Sequence, residues 1–389
     1  MSTKSNTFCI LPWIHTYIGS DGNVLPCCIA DQGNKMGNVQ NNSLQDIWNS
    51  ASYRQLRVNM LSGQRCDECK SCYKDEDTGR KSFRNEINER FKVYYDVVEK
   101  TTPVGYLDEM KFRYLDIRWS NICNFKCRTC NSTFSSSWAT ENNDKKIFIF
   151  AGGGNNDKLY EELEAQLEYL DEIYFAGGEP LLMDAHYNIL IRLLELGRKD
   201  VKLRYSTNLS TLYYKKKSIV DLWNQFWTVQ IYVSIDSWGD RAEYIREGTN
   251  WNQIEENIRI IRKELPRAYI ATSSVISVFN VATLPEFLDR MYDVFGDQLE
   301  PQLYVIKQPK EYSFAAIQPD LKERIISNLN DYIGKCNSNA KEPLRSVITA
   351  LQTVKFNSNL RIDFEDANMY FDTIRNRDFN KTFPELENF

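Results

Sequence analysis

Three cysteines stand close together in the run Cys123-Asn124-Phe125-Lys126-Cys127-Arg128-Thr129-Cys130. Thiolates at this spacing can converge from a single loop onto one metal centre, and thiolate is the soft ligand that zinc and iron–sulfur clusters select. A closed zinc site takes four ligands, and no further cysteine or histidine follows closely here. A [4Fe–4S] cluster normally takes four cysteines. Held by three, it keeps its fourth iron open to another ligand. A second group of thiols, Cys9, Cys27, Cys28, Cys66, Cys69 and Cys72, fills the first 72 residues, and Cys336 stands alone. His15 and His186 are the only histidines, which argues against a histidine-rich zinc site or a Ser-His-Asp triad; both are expected to be structural.

The rest of the composition says where such thiols can work. Residues 1–7 are polar, and the apolar stretch 8–14 is short and interrupted by Pro12, unlike an export signal. No run reaches the roughly 20 apolar residues of a membrane helix. A cytoplasmic protein without a membrane partner is therefore expected, and in a reducing compartment ten cysteines bind metal rather than form disulfides. The net charge of −5 argues against a broad nucleic-acid surface.

The thiol loop must be positioned by regular elements. Residues 1–76 are loop-rich, with one helix expected over 43–60, so metal-bound cysteines would act as staples. Residues 77–110 are highly charged and are expected to form a connecting helix. From 111 onward, β-branched and aromatic runs alternate with amphipathic ones. The pattern predicts strands at 114–118, 172–175, 202–206, 230–235, 270–278 and 303–306, and helices at 184–197, 215–227, 252–265 and 284–295. Such alternation implies a parallel sheet, and six βα units, fewer than eight, imply a partial (β/α)6 TIM-like barrel over 111–318. Residues 319–389 form a helical C-terminal extension. The fold class is thus α/β, with a small cysteine-cluster domain at the N-terminus. Gly152, Gly153 and Gly154 are not followed by Lys-Ser/Thr and so make no phosphate loop. Tyr213 to Lys217 reads as a solvated helix start, and Trp223, Phe226 and Trp227 as core.

On this layout Cys123, Cys127 and Cys130 fall in the first βα loop, at the end of the barrel that carries chemistry. The CxxxCxxC run after a first strand resembles the signature of the radical S-adenosylmethionine (radical SAM) superfamily. Phe175-Ala176-Gly177-Gly178-Glu179-Pro180, ending the second strand, is similar to the family's GGEP element. That resemblance implies contact of Gly177, Gly178, Glu179 and Pro180 with the amino group of S-adenosylmethionine; two glycines permit close backbone approach, and a carboxylate can face an ammonium. By the same resemblance Ser206 and Asn208 at the end of the third strand, and Ser234 and Asp236 at the end of the fourth, are candidates for the cofactor's carboxylate and ribose. Arg246 is the candidate for a two-pronged bond to that carboxylate. Many relatives carry an aromatic residue where this chain has Thr129, so adenine contacts are expected elsewhere, near residues 275–278.

The N-terminal order, Cys9 followed by Pro12-Trp13, Gly22 to Cys27-Cys28, Ile47-Trp48, then Cys66, Cys69 and Cys72, is similar to the SPASM/twitch auxiliary-cluster domains of the same superfamily. In well-known members that domain follows the barrel; here it precedes it. Four thiolates make one [4Fe–4S] cluster, so a single auxiliary cluster is the economical reading. Cys9 and Cys27 lead its ligands, with Cys69 and Cys72 next and Cys66 as a competitor. Cys28 points away from Cys27 in an extended segment and is left out. A four-cysteine zinc ribbon is the alternative.

The resemblance implies an enzyme in which an electron from the cluster cleaves S-adenosylmethionine and the resulting 5′-deoxyadenosyl radical removes a hydrogen atom from a substrate. A peptide or protein side chain is the expected substrate, with a nucleotide, sugar or other small metabolite as the alternative. A non-enzymatic iron–sulfur or zinc partner-binding module is the rival outside enzymes. The reaction also requires an external one-electron reductant such as flavodoxin or ferredoxin.

Overall fold

The computed structural model describes residues 5–144 and 157–386; Gly152 to Gly154 lie outside them. In chain order the strands are β1 (His15–Ile18), β2 (Asn23–Leu25), β3 (Gly37–Asn38), β4 (Tyr114–Ile117), β5 (Lys126–Cys127), β6 (Glu172–Phe175), β7 (Lys202–Thr207), β8 (Tyr213–Tyr214), β9 (Lys217–Ser218), β10 (Val229–Val233), β11 (Arg246–Glu247), β12 (Tyr269–Ile276) and β13 (Gln302–Val305). The fold is α/β with a largely parallel central sheet and a helical C-terminal region. Among the described residues no helix is long and apolar enough to cross a membrane. The chain forms two compact units. Of the described residues, those up to Ile122, 157–204 and 225–228 make the first; 123–144, 205–224 and 229–386 make the second.

In the first unit the strand order is β6-β4-β1-β2-β3. Strands β4 and β6 are parallel, with Asp116 opposite Tyr174. Strand β1 joins β4 in parallel, with Tyr17 opposite Asp116, and β2 and β3 add antiparallel edges. Residues 1–76 are loop-rich by their sequence, yet the four-residue run His15–Ile18 supplies a buried strand. It is too short for an alternation pattern, and all four residues are buried, as befits a strand covered on both faces. The helix expected over 43–60 is two, Leu44–Trp48 and Ala51–Leu61. The break falls at Asn49, whose amide is tied to Leu107, and at Ser50, whose hydroxyl accepts from Tyr53 N and starts the second helix. The connecting helix expected over 77–110 is likewise broken. Gly79 takes the left-handed conformation (φ 77°), Ser82 and Asn85 form a reciprocal capping box, and a new helix runs over Phe83–Arg90. A 3₁₀ stretch covers Lys92–Lys100.

In the second unit β13-β12-β10 are successive parallel neighbours. Helices Trp251–Glu264 and Leu284–Phe295 follow β11 and β12, as the periodicity requires. Trp251, Ile254, Ile258 and Ile261 recur at helical spacing and are buried, and Asn250 caps the start. The helix expected over 215–227 forms only at Ile219–Trp223. Before it, β8 and β9 make a hairpin whose two turn residues, Lys215 and Lys216, are both left-handed (φ 46° and 67°). Such turns favour Asn and Gly, so two lysines gave no sequence signal. Trp223 and Phe226 are buried, but Trp227 is 68% exposed and is not core. Strand β7 is divided between the units: Lys202 to Arg204 belong to the first, Tyr205 to Thr207 to the second. The C-terminal region holds the helices Pro319–Ile333, Ser338–Thr353 and Ser358–Arg375.

Candidate cluster sites

In the second unit the loop of Cys123, Cys127 and Cys130 is fixed at nearly every residue. Cys123 N donates to Ser136 Oγ of the following helix at 3.2 Å, and Ser137 Oγ donates to Cys123 O at 2.6 Å. Phe125 N donates to the Cys123 sulfur at 3.4 Å, and Ser135 Oγ donates to Phe125 O at 2.6 Å. Cys127 sits on β5, which pairs antiparallel with β11 so that Cys127 lies directly opposite Arg246. A cleft of about 450 Å³ opens beside the loop, lined by Asn124, Lys126, Ser136, Ser137, Thr140 and Glu141.

Two arginines flank Cys127. Arg246 donates from Nε and Nη2 to the two carboxylate oxygens of Asp236 at 2.7 and 3.0 Å, and from Nη1 to the Cys127 sulfur at 3.8 Å. Asp236 therefore occupies the fork that was expected to meet the cofactor's carboxylate. Arg128, between the second and third cysteines, is wholly buried, and Asp372 accepts its Nη2 at 2.5 Å. Its guanidinium lies 3.8 Å from the centroid of the Tyr244 ring, Nη1 reaches Asn368 and Nε reaches Tyr244 O. Asn368 and Asp372 belong to the helix Ser358–Arg375, whose Arg375 grips Glu141, itself bonded to Lys126 of β5. Arg377 completes the tie at Glu247 of β11. One ion pair, Arg128–Asp372, thus binds the C-terminal helix to the cysteine loop itself, and the other two bind the helix and the residues after it to the flanking elements of that loop. Sequence reasoning passed over it, and the one available signal was an arginine inside the cysteine run.

Burial raises two thiols of this loop, Cys127 and Cys130. The Cys130 thiol is pushed up to about 12, with the Cys127 thiol as the next cause. Cys127 is also raised by burial, against the lowering effect of Arg246. Thiols held neutral by burial, beside cations that favour thiolate, fit a centre whose metal supplies the missing positive charge. Asn208 Nδ2 donates to Asn124 Oδ1 at 2.9 Å, so the candidate after β7 is tied to the cysteine loop. Ser234 N donates to Thr207 O at 2.8 Å. Asp236 also accepts from Val275 N at 2.8 Å, and its carbonyl accepts from Asn280. Val275 is half-buried at the end of β12, and Val278 is core. Ser206 lies on the half-buried face of β7.

In the first unit the Gly177–Pro180 turn packs on the backbone leading to the cysteine loop. Gly178 N donates to Ser120 O at 3.2 Å and Glu179 N to Ile122 O at 2.7 Å. A Cβ on Gly178 would lie 2.1 Å from Ile122 O, and Gly177 has φ 122°, so both positions require glycine. Glu179 is 1% exposed, and its Oε1 accepts from Leu181 N, capping the turn Pro180–Leu182. The sequence-predicted glycines are therefore needed by the fold at this loop, whatever they bind.

The N-terminal thiols come from three stretches of the first unit. Cys9 precedes the helix Leu11–Ile14, Cys27 follows β2, and Cys69 and Cys72 lie at the start of the helix Lys70–Asp77. Asp31 N donates to Glu68 O at 3.1 Å and joins the last two stretches. All of these thiols are free. Burial pushes Cys9 up to about 12, with Cys72 adding to the rise. Cys69 is raised by burial and then by Cys9, Cys66 and Cys72; Cys27 is raised by burial and then by Cys28, Cys9 and Cys69. Cys9, Cys66 and Cys72 thus all act on Cys69, and Cys28, Cys9 and Cys69 on Cys27. Cys66, pushed by burial to about 11, also feels Glu68, and its sulfur is directed to Gln64 O. Cys28 feels Asp116 and Arg118 and is itself the first charged influence on Cys27; it lies in a turn, where Ala30 N donates to Cys27 O at 3.2 Å, and not in the extended segment expected. Among the described residues no three His, Cys, Asp or Glu side chains converge as a single bound ion requires. Both histidines are buried, and burial lowers each to about 3; His15 bonds Tyr114 O and stacks on its ring.

The comparisons give the class. Residues 9–73 match the iron–sulfur cluster-binding domain family SPASM, and residues 117–291 match the radical SAM superfamily. The chain carries a radical SAM domain, the domain of a superfamily of enzymes, with a SPASM domain placed ahead of it. Those domains bring a [4Fe–4S] cluster, S-adenosylmethionine and auxiliary iron–sulfur chemistry as cofactors. No curated protein matches the chain. Similar solved structures include anSMEcpe with bound AdoMet (18% identity, 56% of this chain and 59% of that one, TM-score 0.39). SuiB of Streptococcus suis bound to S-adenosylmethionine is another (17%, 73% and 62%, 0.41), as is SuiB bound to its precursor peptide SuiA (15%, 73% and 63%, 0.42). The chain spans about three fifths of the length of each of these structures.

Proposed function

We propose that Cys123, Cys127 and Cys130 hold the reaction-initiating cluster, and that the enzyme abstracts hydrogen from a peptide or protein side chain. When bound, the reduced cluster and S-adenosylmethionine supply the 5′-deoxyadenosyl radical that performs the abstraction. The chain's own residues do the holding. The Ser135–Ser137 hydroxyls and β11 fix the thiolate loop, and Gly177 and Gly178 leave room for close backbone approach. Glu179 is the carboxylate for the cofactor's ammonium; Pro180, Ser206, Asn208 and Ser234 are its further contacts. Cys9 and Cys27 with Cys69 and Cys72 hold a single auxiliary [4Fe–4S] cluster, and Cys66 is the competing ligand. The reaction runs in the cytoplasm with an external one-electron reductant.

The observation that carries the reading is the radical SAM match over 117–291, laid on a cysteine loop whose backbone is bonded at Cys123, Phe125 and Arg128. The peptide class is supported by the SPASM domain at 9–73. The test is anaerobic reconstitution with iron, sulfide and S-adenosylmethionine, followed by dithionite. The expected product is 5′-deoxyadenosine, absent in Cys127→Ala; no product in the wild type rejects the radical reading. A mass change on a member of a peptide library, seen only with S-adenosylmethionine, supports the substrate class; a change found only on small metabolites rejects it.

A further inference from the structure

The Arg246 fork is already engaged by a buried carboxylate, and its remaining nitrogen faces a cysteine sulfur. We propose that Asp236 and Arg246 form a positioning pair that directs an N–H donor onto the Cys127 thiolate and so sets the reduction potential of the cluster held there. The inference rests on the cluster assignment made under Proposed function.

Three observations carry it. First, register: β5 and β11 pair so that Arg246 and Cys127 are direct cross-strand partners, and Arg128 N donates to Ile245 O at 2.8 Å on the same ladder. The arginine cannot drift along the loop without breaking that pairing. Second, the support is rigid. Asp236 is 1% exposed; it accepts from Arg246 Nε at 2.7 Å, from Arg246 Nη2 at 3.0 Å and from Val275 N at 2.8 Å, while Asn280 Nδ2 holds its carbonyl at 2.8 Å. Third, direction: with Nε and Nη2 committed to Asp236, Nη1 lies 3.8 Å from the Cys127 sulfur. A guanidinium is planar, so fixing two of its nitrogens aims the third.

Reduction adds one electron to the cluster and no proton. A donor and a positive charge at a ligand sulfur stabilise the more negative reduced state, and hydrogen bonds to sulfur are a recognised lever on cluster potential. Asp236 acts through Arg246 and is a positioning residue, not a ligand.

The test is a redox titration of the full-length, anaerobically reconstituted protein, followed by electron paramagnetic resonance. The cluster at Cys127 is identified as the one whose signal changes when S-adenosylmethionine is added, which separates it from an auxiliary cluster. Arg246→Gln is expected to disfavour reduction at least tenfold, a fall of about 59 mV for one electron. Arg246→Lys keeps the charge but cannot grip Asp236 and reach sulfur together, and is expected to fall between the two. It also serves as the second variant if the glutamine form takes up less iron. A S-adenosylmethionine-sensitive signal whose potential is the same in wild type, Gln and Lys forms overturns the proposal and leaves the radical reading intact. Absence of any such signal in the wild type overturns the cluster assignment itself.

Discussion

The two thiol groups of this protein are built in opposite ways. Cys123, Cys127 and Cys130 lie within one eight-residue loop, and the protein holds that loop with its own hydrogen bonds and with the pairs Arg128–Asp372, Arg375–Glu141 and Arg377–Glu247. Cys9, Cys27, Cys69 and Cys72 come from three separated stretches; burial raises their thiols, and neighbouring thiols add to the rise at Cys9, Cys27 and Cys69. A loop preorganised by side chains accepts its metal as a guest. Thiols gathered from distant stretches need the metal as a staple, because the metal's binding free energy then becomes folding free energy.

The largest effect should therefore follow from disturbing the N-terminal group. Chelation, or the pair Cys69→Ala and Cys72→Ala, is expected to unfold residues 9–73 while leaving the second unit folded, read by limited proteolysis with mass spectrometry. Cys127→Ala should leave both proteolytic patterns unchanged. Equal protection of 9–73 with and without metal would break the comparison. Next in size, Arg128→Met leaves Asp372 without its cation and is expected to cost about 3–5 kcal/mol in denaturant unfolding. Adding Asp372→Asn to that variant should recover part of the loss, because the orphaned charge is then gone. No difference between the single and double variants would show that the pair does not hold the loop.

Gly178→Ala is expected to cost about 1–3 kcal/mol, since its methyl meets Ile122 O at 2.1 Å. It should also weaken S-adenosylmethionine binding, measured by equilibrium dialysis. An effect that is absent at neutral pH and grows with acid separates the units. His15 and His186 both belong to the first unit and are lowered by burial to about 3. As pH falls through 6.5 the unfolded chain takes up protons that the folded chain refuses until about 3. The stability they confer is thus complete above 6.5 and lost progressively below it, by up to about 1.4 kcal/mol per histidine for each pH unit. The first unit should melt ahead of the second as pH drops from 6.5, and His186→Phe should shrink that gap.

The order of strands and helices after residue 111 was legible because apolar periodicity there is strong: Trp251, Ile254, Ile258 and Ile261 mark one helix face, and Leu203, Tyr205 and Thr207 alternate along β7. The breaks were not. Ser50 and Ser82 act as caps only because Asn49 meets Leu107 and Asn85 reciprocates, and the Lys215–Lys216 turn contradicts local preference. Of the candidate site, the cysteine loop and the two glycines could be read directly, since both depend on residue type at fixed spacing. Arg246 could be nominated but not given its protein partners, because Asp236, after β10, and Cys127, opposite it on β5, meet it only in the folded chain.

Sequence alone determined the chemistry: ten cysteines with two histidines, a CxxxCxxC run and a Gly-Gly-Glu-Pro turn, which commit the chain to iron–sulfur and S-adenosylmethionine. Thiolates and glycines carry their meaning in a few adjacent positions. Only the tertiary structure decided what holds those groups in place. The strand β1, the C-terminal helix clamped on Arg128 and the carboxylate behind Arg246 are contacts between residues 10 to 244 positions apart, and burial and pairing at such distances are written in no local pattern.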